Sequence, residues 1–220
     1  WQLRGPEPER PDGEADAPPP SLPGTDSARL PIMRVIGQVG AAYIIAEGPD
    51  GLYLIDQHAA HERILYEQFL AQRQGQRVAS QGLVAPATAY LSPSQAHLVE
   101  EQLDLLTSLG FEIESFGPNA FRIRAVPAIL SRADPAAALA AVVADLENET
   151  TPLKSETEAL VIKRVCKTAA VKAGQTLSPQ EMDAMILQLE ACDVPHTCPH
   201  GRPTLIHLSA ALLARQFGRT

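Results

Sequence analysis

The sequence lacks the features that define several common classes of protein. It holds only 3 cysteines in 220 residues, which argues against a framework of disulfides and makes a reducing cytoplasm the expected compartment. No run of about 18 apolar residues occurs, so the sequence predicts no membrane-spanning helix. The first residues also lack a basic segment followed by an apolar stretch, and therefore no secretory signal peptide is indicated.

Basic residues are scarce as well. Lys and Arg number 18 against 26 Asp and Glu, which gives a formal net charge of −8. A domain that held duplex DNA by neutralising its phosphates would usually be basic. We therefore expect this chain to bind duplex DNA weakly by itself, unless a partner brings it there.

Proline is concentrated at the start of the chain, in residues 1–31, among Gly, Asp, Glu and Ser. Such a mixture buries too little apolar surface to become ordered, so it predicts a disordered linker; an ordinary frayed terminus is the alternative. The chain does not begin with Met. We therefore expect a fragment of a longer protein, with another domain upstream of the linker.

From Pro31 onward the apolar pattern predicts an α+β fold with a helical insert in the middle. Alternating apolar residues predict strands, and an apolar period near 3.6 predicts helices. The expected strands are 34–39, 42–47, 52–56, 111–116, 120–126 and 204–208, with an extended connection over 78–91. The expected helices are 58–74, 92–110, 135–147, 155–174, 178–192 and a terminal one capped by Ser209.

The densest group of polar residues lies between Asp56 and Glu67, where a predicted strand passes into a helix. Asp56 is placed to cap that helix. His58 and Glu62 are four residues apart and therefore share a helix face, the geometry with which one helix offers two ligands to a cation. Glu67 falls on a neighbouring face, which suits a supporting role. The alternative is a helix cap followed by a solvated charged surface.

A second polar group, Cys198-Pro-His-Gly-Arg-Pro203, lies near the end of the chain. Its prolines and glycine exclude a regular helix, and in an extended segment Cys198 and His200 point the same way. A thiolate and an imidazole together suit Zn²⁺. Cys166, inside an apolar helix, is a candidate third ligand; the alternative is an inert buried residue. The remaining candidates are interpreted as structural: Cys192, His196, His97 and His207.

These groups match the motifs of a known family. Asp56-Gln-His-Ala59, followed by Glu62 and Glu67, resembles the endonuclease motif in the C-terminal domain of MutL DNA mismatch repair proteins. Other segments resemble motifs of the same domain: Val165-Cys-Lys167, where the family usually has Ala first, then Cys198–Pro203 and Phe217-Gly-Arg219. The resemblance covers about residues 32–220, and the proline-rich start is similar to the linker that leads to the family's N-terminal ATPase domain.

The resemblance implies a latent, metal-dependent endonuclease that nicks one strand of duplex DNA during mismatch repair and works as a homodimer. It implies a dimerisation subdomain built from residues 32–80 and 156–220, with a smaller α/β regulatory subdomain, residues 81–155, inserted into it. For the full-length ATP-binding protein it also implies contact with a mismatch-recognition protein and a cytoplasmic, nucleoid-associated location.

By the same resemblance, Asp56 is the acid on which nicking most depends, and Glu62 is a second catalytic acid. The residues that match the metal ligands are His58, Glu62, Cys166, Cys198 and His200, with Glu67 and Arg202 placed around them. Carboxylates suit Mn²⁺ or Mg²⁺ and the softer ligands suit Zn²⁺. We therefore expect a regulatory zinc ion beside a weaker catalytic ion, with Glu62 bridging the two. Arg202 either contacts a phosphate or pairs with an acid.

One more segment, Gln81-Gly-Leu-Val-Ala-Pro86, resembles the family's sliding-clamp-binding motif. The residues that carry the motif are Gln81, Leu83, Val84 and Pro86. An extended apolar peptide of this kind lies in a groove of its partner, and a clamp would supply the DNA affinity that an acidic surface lacks. The alternative is a strand of the protein's own sheet.

The alternative to an endonuclease is a non-catalytic dimerisation and partner-binding module whose zinc site is only structural. A zinc hydrolase of small molecules or peptides is not favoured, because the sequence has no His-Glu-x-x-His pattern.

Overall fold

A computed structural model of the chain describes residues 29–75, 78–148, 154–172 and 174–219. Almost all of the predicted linker, residues 1–31, lies outside these ranges. The strands are β1 (Arg34–Val39), β2 (Tyr43–Gly48), β3 (Gly51–Asp56), β4 (Ser80–Tyr90), β5 (Glu112–Gly117), β6 (Ala120–Pro127) and β7 (Leu205–Ser209). The helices are α1 (Gln57–Gln74), α2 (Pro93–Glu101), α3 (Leu103–Ser108), α4 (Pro135–Asn148), α5 (Lys154–Ala169), α6 (Pro179–Glu190) and α7 (Ala210–Gln216).

The predicted α+β class is confirmed, and the described strands form two antiparallel sheets. The first sheet has the order β1-β2-β3-β7 and so combines strands from both ends of the chain. Alternation along its strands turns one apolar set toward α1 and α6. The buried residues of this core include Ile44, Ile55 and Leu205 from the sheet, Ala60 and Ile64 from α1, and Met182, Ile186 and Leu189 from α6.

The second sheet has the order β4-β6-β5 and is drawn from the middle of the chain. Its central strand β6 is buried along most of its length. The helices α2, α4 and α5 contribute to the same core, which includes Phe121 and Ile123 from the sheet, Val99, Leu139 and Val142 from helices of the middle part, and Ile162, Val165 and Cys166 from α5. Helix α5 therefore joins the core of the middle part, although it follows that part in sequence.

Two of the predicted helices differ from the structure by more than one or two terminal residues. The helix expected over 92–110 is broken at Gln102, whose ψ of 14° is not helical, into α2 and α3. Leu106 and Leu109, both 0% exposed, lie in the core that also holds Val99, so the two helices on either side of the break contribute to the same core.

The second difference is the end of α5, which lies at Ala169 and not at Gly174. Beyond that residue, backbone groups of the chain form hydrogen bonds with side chains of α1 instead of continuing the helix. No helix in the described ranges is long and apolar enough to cross a membrane.

Candidate metal centre

Asp56 joins β3 to α1 and is held rigidly at that junction. Its Oδ1 accepts hydrogen bonds from the backbone N–H groups of His58, at 2.9 Å, and Ala59, at 3.0 Å, so Asp56 is the predicted N-cap. Its own backbone N–H donates to the carbonyl of Thr204 at 2.9 Å. Both capping bonds use the same oxygen, which leaves Oδ2 outside the cap.

Helix α1 carries Glu62, a carboxylate that is 3% exposed. Its Oε1 lies 3.2 Å from Nε2 of His58, one turn earlier on the same face. Its Oε2 lies 3.1 Å from Nδ1 of His200, which comes from the far end of the chain. Each oxygen of one buried carboxylate therefore faces a different imidazole.

The loop that carries Cys198 and His200 is a tight turn stabilised by its own backbone. The N–H of Cys198 donates to the carbonyl of Arg202 at 2.8 Å, and the N–H of Gly201 donates to the carbonyl of Cys198 at 2.9 Å. Gly201 has a φ of +80°, a conformation that favours glycine. The turn places the buried Cys198 thiol on the same side as the imidazole.

Glu62, Cys198 and His200 form the cluster that can hold a metal ion. Their ligand atoms all lie within 4.8 Å of one another. Tetrahedral ligands bound at about 2.0–2.3 Å from a zinc ion lie roughly 3–4 Å apart. A small adjustment of this cluster is therefore enough to surround one cation.

Hydrogen bonding around His58 supports a cation at this place. Its Nδ1 lies 3.0 Å from the carbonyl oxygen of Val171, so Nδ1 must carry a proton and donate it. In the neutral ring Nε2 is then an acceptor, and it faces the carboxylate of Glu62 across 3.2 Å. Two acceptors at this distance need a proton or a metal ion between them. A metal-binding histidine commonly donates its other N–H to a backbone carbonyl in this way.

His61 also lies in this part of α1. Its Nδ1 accepts a hydrogen bond from the N–H of Val171 at 2.9 Å. Burial, and secondly the neighbouring His58, lower the pKa of His61, so this ring is neutral at physiological pH.

Cys166 lies near Glu62 but is not one of the three residues, Glu62, Cys198 and His200, whose ligand atoms form the cluster. It is 0% exposed in the core beside Val165. Burial, and secondly the charge of Glu62, raise the pKa of the Cys166 thiol far above its usual range. Without a bound cation, the Cys166 thiol is therefore protonated.

Asp56 and Arg202 line a common cavity of about 500 Å³, together with Pro203 and Thr204. The end of β3 and the residues that follow the Cys198 turn therefore border one cavity, whereas Glu62, Cys198 and His200 are not among the residues that line it. Arg202 is exposed, and its predicted contact with a phosphate or an acid stays a prediction.

Glu67 is directed away from the cluster, toward the chain segment that leads into the turn. Its Oε2 accepts from the N–H of Asp193 at 2.6 Å and its Oε1 from the N–H of Val194 at 3.1 Å. Arg63, a residue that the sequence analysis did not single out, completes this support. Its Nε donates to the carbonyl of Thr197 at 2.6 Å, and its Nη1 lies 3.5 Å from Glu67. The sequence signal for this pair is its four-residue spacing, which places Arg63 and Glu67 on the same face of α1.

The predicted clamp-binding segment lies in β4, away from the metal cluster in sequence and at an edge of the second sheet. Gln81 pairs with Val126 of β6. This pairing agrees with the alternative interpretation that the segment is a strand of the protein's own sheet. The register then shifts, so that residues 83–86 lie opposite Arg124 alone. In this bulge Val84 is fully exposed, while Leu83 packs against the core.

Comparison with known proteins agrees with the motifs. A family model described as the MutL C terminal dimerisation domain matches residues 36–177, well over half of the chain. The chain belongs to this family. Glu62 and the end of α5 lie within the matched range, whereas Cys198 and His200 follow it.

Similar proteins are also named as MutL. The DNA mismatch repair protein MutL of Methanoculleus marisnigri is 41% identical over 194 residues, which cover 86% of this chain and 32% of that protein. The MutL proteins of Halothermothrix orenii and Phenylobacterium zucineum are each 38% identical, over 86% and 94% of this chain and 30% and 33% of their own lengths. The chain thus spans about a third of the relatives that it matches.

The support by Glu67 can be tested by replacing it. We expect Glu67→Ala to lower the free energy of unfolding by about 2–3 kcal/mol, because backbone donors at Asp193 and Val194 lose a charged acceptor. Amide hydrogen exchange in residues 193–201 should become faster. Glu100→Ala, an exposed residue of α2, should change stability by less than about 0.5 kcal/mol. Equal exchange rates in Glu67→Ala and the unchanged protein would contradict the assignment.

Proposed function

We propose that this chain is a metal-dependent endonuclease domain of a mismatch repair protein, which nicks one strand of duplex DNA. The observation that carries the proposal is the buried carboxylate of Glu62 between His58 and His200. We also propose that the domain acts in the cytoplasm, at the nucleoid, as part of a longer protein that contacts a mismatch-recognition protein.

The contacts of Glu62 support a bridging carboxylate. Its Oε2 faces His200 within the group that includes Cys198, a softer set that suits Zn²⁺. Its Oε1 faces His58, on the side of α1 that begins at Asp56. Carboxylate oxygens there suit Mn²⁺ or Mg²⁺. We assign the softer ligands Cys166, Cys198, His200 and His58 to a regulatory zinc ion. We assign the carboxylates of Asp56 and Glu62 to the catalytic ion, so that Glu62 serves both.

Hydrolysis of a phosphodiester forms a bond from a water oxygen to phosphorus, breaks the bond to one sugar oxygen and leaves a proton on that oxygen. Divalent cations supply an activated water and neutralise the phosphate. Asp56 contributes an oxygen outside its helix cap, and its fixed backbone holds that oxygen at the cavity it shares with Arg202. Arg202 is placed to hold a neighbouring phosphate oxygen.

Recruitment by a sliding clamp fits the charge of the chain. With a net charge of −8, the domain has little electrostatic attraction for DNA of its own. The exposed bulge of β4 offers an apolar residue, Val84, and an adjacent Pro86 at a sheet edge. Such a segment can enter a groove of a partner without unfolding the sheet.

A homodimer fits the open face of the first sheet, opposite to α1 and α6. The register places Ile45, Leu54 and Ile206 side by side on this face, and Tyr43 and Ile206 are 49% and 39% exposed. Apolar residues grouped on one exposed face mark an interaction surface. The same face borders the cavity of Asp56, so a partner chain seated here would lie beside the proposed centre.

The alternative function is a dimerisation module whose zinc site is structural. The family description favours dimerisation, and Glu62, Cys198 and His200 could form a closed site of that kind. Nicking activity distinguishes the two functions.

The central test compares Asp56→Asn with Glu62→Gln in a plasmid assay with Mn²⁺. Asn caps a helix as well as Asp does, so Asp56→Asn should retain its fold and bound zinc but lose nicking by about 100-fold or more. Glu62→Gln should lower both zinc content and nicking, because it removes the shared ligand. Asp104→Asn, an exposed residue of α3, serves as the control.

Equal nicking by Asp56→Asn and the unchanged protein would point to a contaminating nuclease. Absence of nicking in the unchanged protein, even with a clamp, would favour the structural alternative. Zinc content and nicking that are both untouched in Glu62→Gln would refute the bridging role.

Clamp binding can be measured directly on an immobilised sliding clamp. We expect Gln81→Ala combined with Leu83→Ala to weaken binding at least about 10-fold and to remove clamp stimulation of nicking. Phe116→Ala, at the opposite edge of the same sheet and 51% exposed, should bind as the unchanged protein does. Unaltered clamp affinity in the double variant would exclude this segment as the contact.

The dimer face can be tested by light scattering coupled to size-exclusion chromatography. Ile45→Glu combined with Ile206→Glu should convert the dimer to a monomer, because each copy would bury charges in an apolar interface. Leu187→Glu, on α6 and 65% exposed, should stay dimeric. A dimeric mass for the double variant would place the interface elsewhere.

A further inference from the structure

The segment that follows α5 is tied to α1 at the residue between two histidines. The carbonyl of Val171 accepts from Nδ1 of His58 at 3.0 Å, and the N–H of Val171 donates to Nδ1 of His61 at 2.9 Å. The two rings are three residues apart on one helix and therefore lie close together on its surface. Both backbone polar groups of one residue are thus bonded to histidines of α1.

The backbone decides the tautomer of each ring. A carbonyl can only accept, so Nδ1 of His58 is protonated and Nε2 is the ring nitrogen that faces Glu62. An N–H can only donate, so Nδ1 of His61 is unprotonated. The bond made by one ring nitrogen sets what the other nitrogen can do.

A neighbouring side chain supports the same segment. The amide of Gln57, which is 0% exposed, donates to the carbonyls of Lys172 and Gln175 at 3.2 Å each. These carbonyls lie beyond Val171, so Gln57 fixes the path of the chain. Among these contacts, only the one to His61 holds the N–H of Val171 itself.

We propose that His61 is a positioning residue for His58. By holding the N–H of Val171, it fixes the carbonyl that orients the His58 imidazole and directs its Nε2 toward Glu62. The role of His58 as a metal ligand rests on the proposed function; the orientation of its ring does not. His61 lies between the matched motif positions Ala59 and Glu62 and is not itself one of them.

The test uses the whole chain, free of metal and then loaded with Zn²⁺. His61→Asn keeps an acceptor oxygen near the place of Nδ1, whereas His61→Ala removes it. His97→Ala is the matched control, because that ring is exposed on α2 beside Glu101. Nitrogen NMR of the histidine rings reports each tautomer, and competition with a chelator reports zinc affinity.

In the metal-free unchanged protein we expect a proton on Nδ1 of His58 and none on Nδ1 of His61. His61→Ala should mix the tautomers of His58 and weaken zinc binding about 10- to 100-fold. His61→Asn should keep the Nδ1–H form and stay within about 3-fold of the unchanged protein's affinity. His97→Ala should alter neither quantity.

A proton on Nδ1 of His61 in the unchanged protein would overturn the proposal without any variant, so a misfolded His61→Ala does not prevent a decision. An unaltered tautomer of His58 in folded His61→Ala would also overturn it. An unchanged protein that binds no Zn²⁺ would instead contradict the proposed metal centre and leave the tautomer measurement to decide the role of His61.

Discussion

The rest of the candidate site depends on the burial of one carboxylate, Glu62, between two imidazoles. A charge removed from water is costly unless opposite charges and hydrogen bonds replace the lost hydration. Glu62 is 3% exposed, so both of its oxygens need accurately placed partners in place of water. A cation meets that requirement more completely than a pair of neutral rings, one of which presents an acceptor to the carboxylate.

The register of the first sheet explains why groups so far apart in sequence meet. Ile55 of β3 pairs with Leu205 of β7 in an antiparallel ladder. The next residues along this pairing are Asp56 and Thr204, and the N–H of Asp56 donates a hydrogen bond to the carbonyl of Thr204. Helix α1 therefore starts where the turn of Cys198 and His200 ends. A shift of this pairing by one residue would reverse which face of the strand is buried. The apolar pattern of both strands therefore fixes the register that brings the residues of the site together.

The sequence predicted those features that depend on local pattern. The strands β1 to β3 and helix α1 follow from apolar period and turn residues, and the Asp56 cap follows from its position at their junction. The end of α5 could not be predicted, since it depends on hydrogen bonds between the rings of His58 and His61 and the backbone of Val171, more than a hundred residues away. The contact of Arg63 with the carbonyl of Thr197 was missed for the same reason, because a residue pattern does not reveal a backbone partner. The four-residue spacing from Glu67 was the one signal for Arg63.

The acidic charge of the chain and the proposed chemistry place one further constraint on the molecule. A centre with Asp56 and Glu62, in a chain of net charge −8, repels a phosphodiester until bound cations reverse the local charge. On the proposed function, cation binding must then precede productive contact with DNA, and weak binding of the catalytic ion keeps the domain latent. The exposed bulge of β4 and the open face of the first sheet are formed by other residues than the cluster. On the same proposal, partners at these surfaces would bring DNA to the centre without competing for its ligands, by raising the local concentration of DNA rather than the intrinsic affinity of an acidic surface.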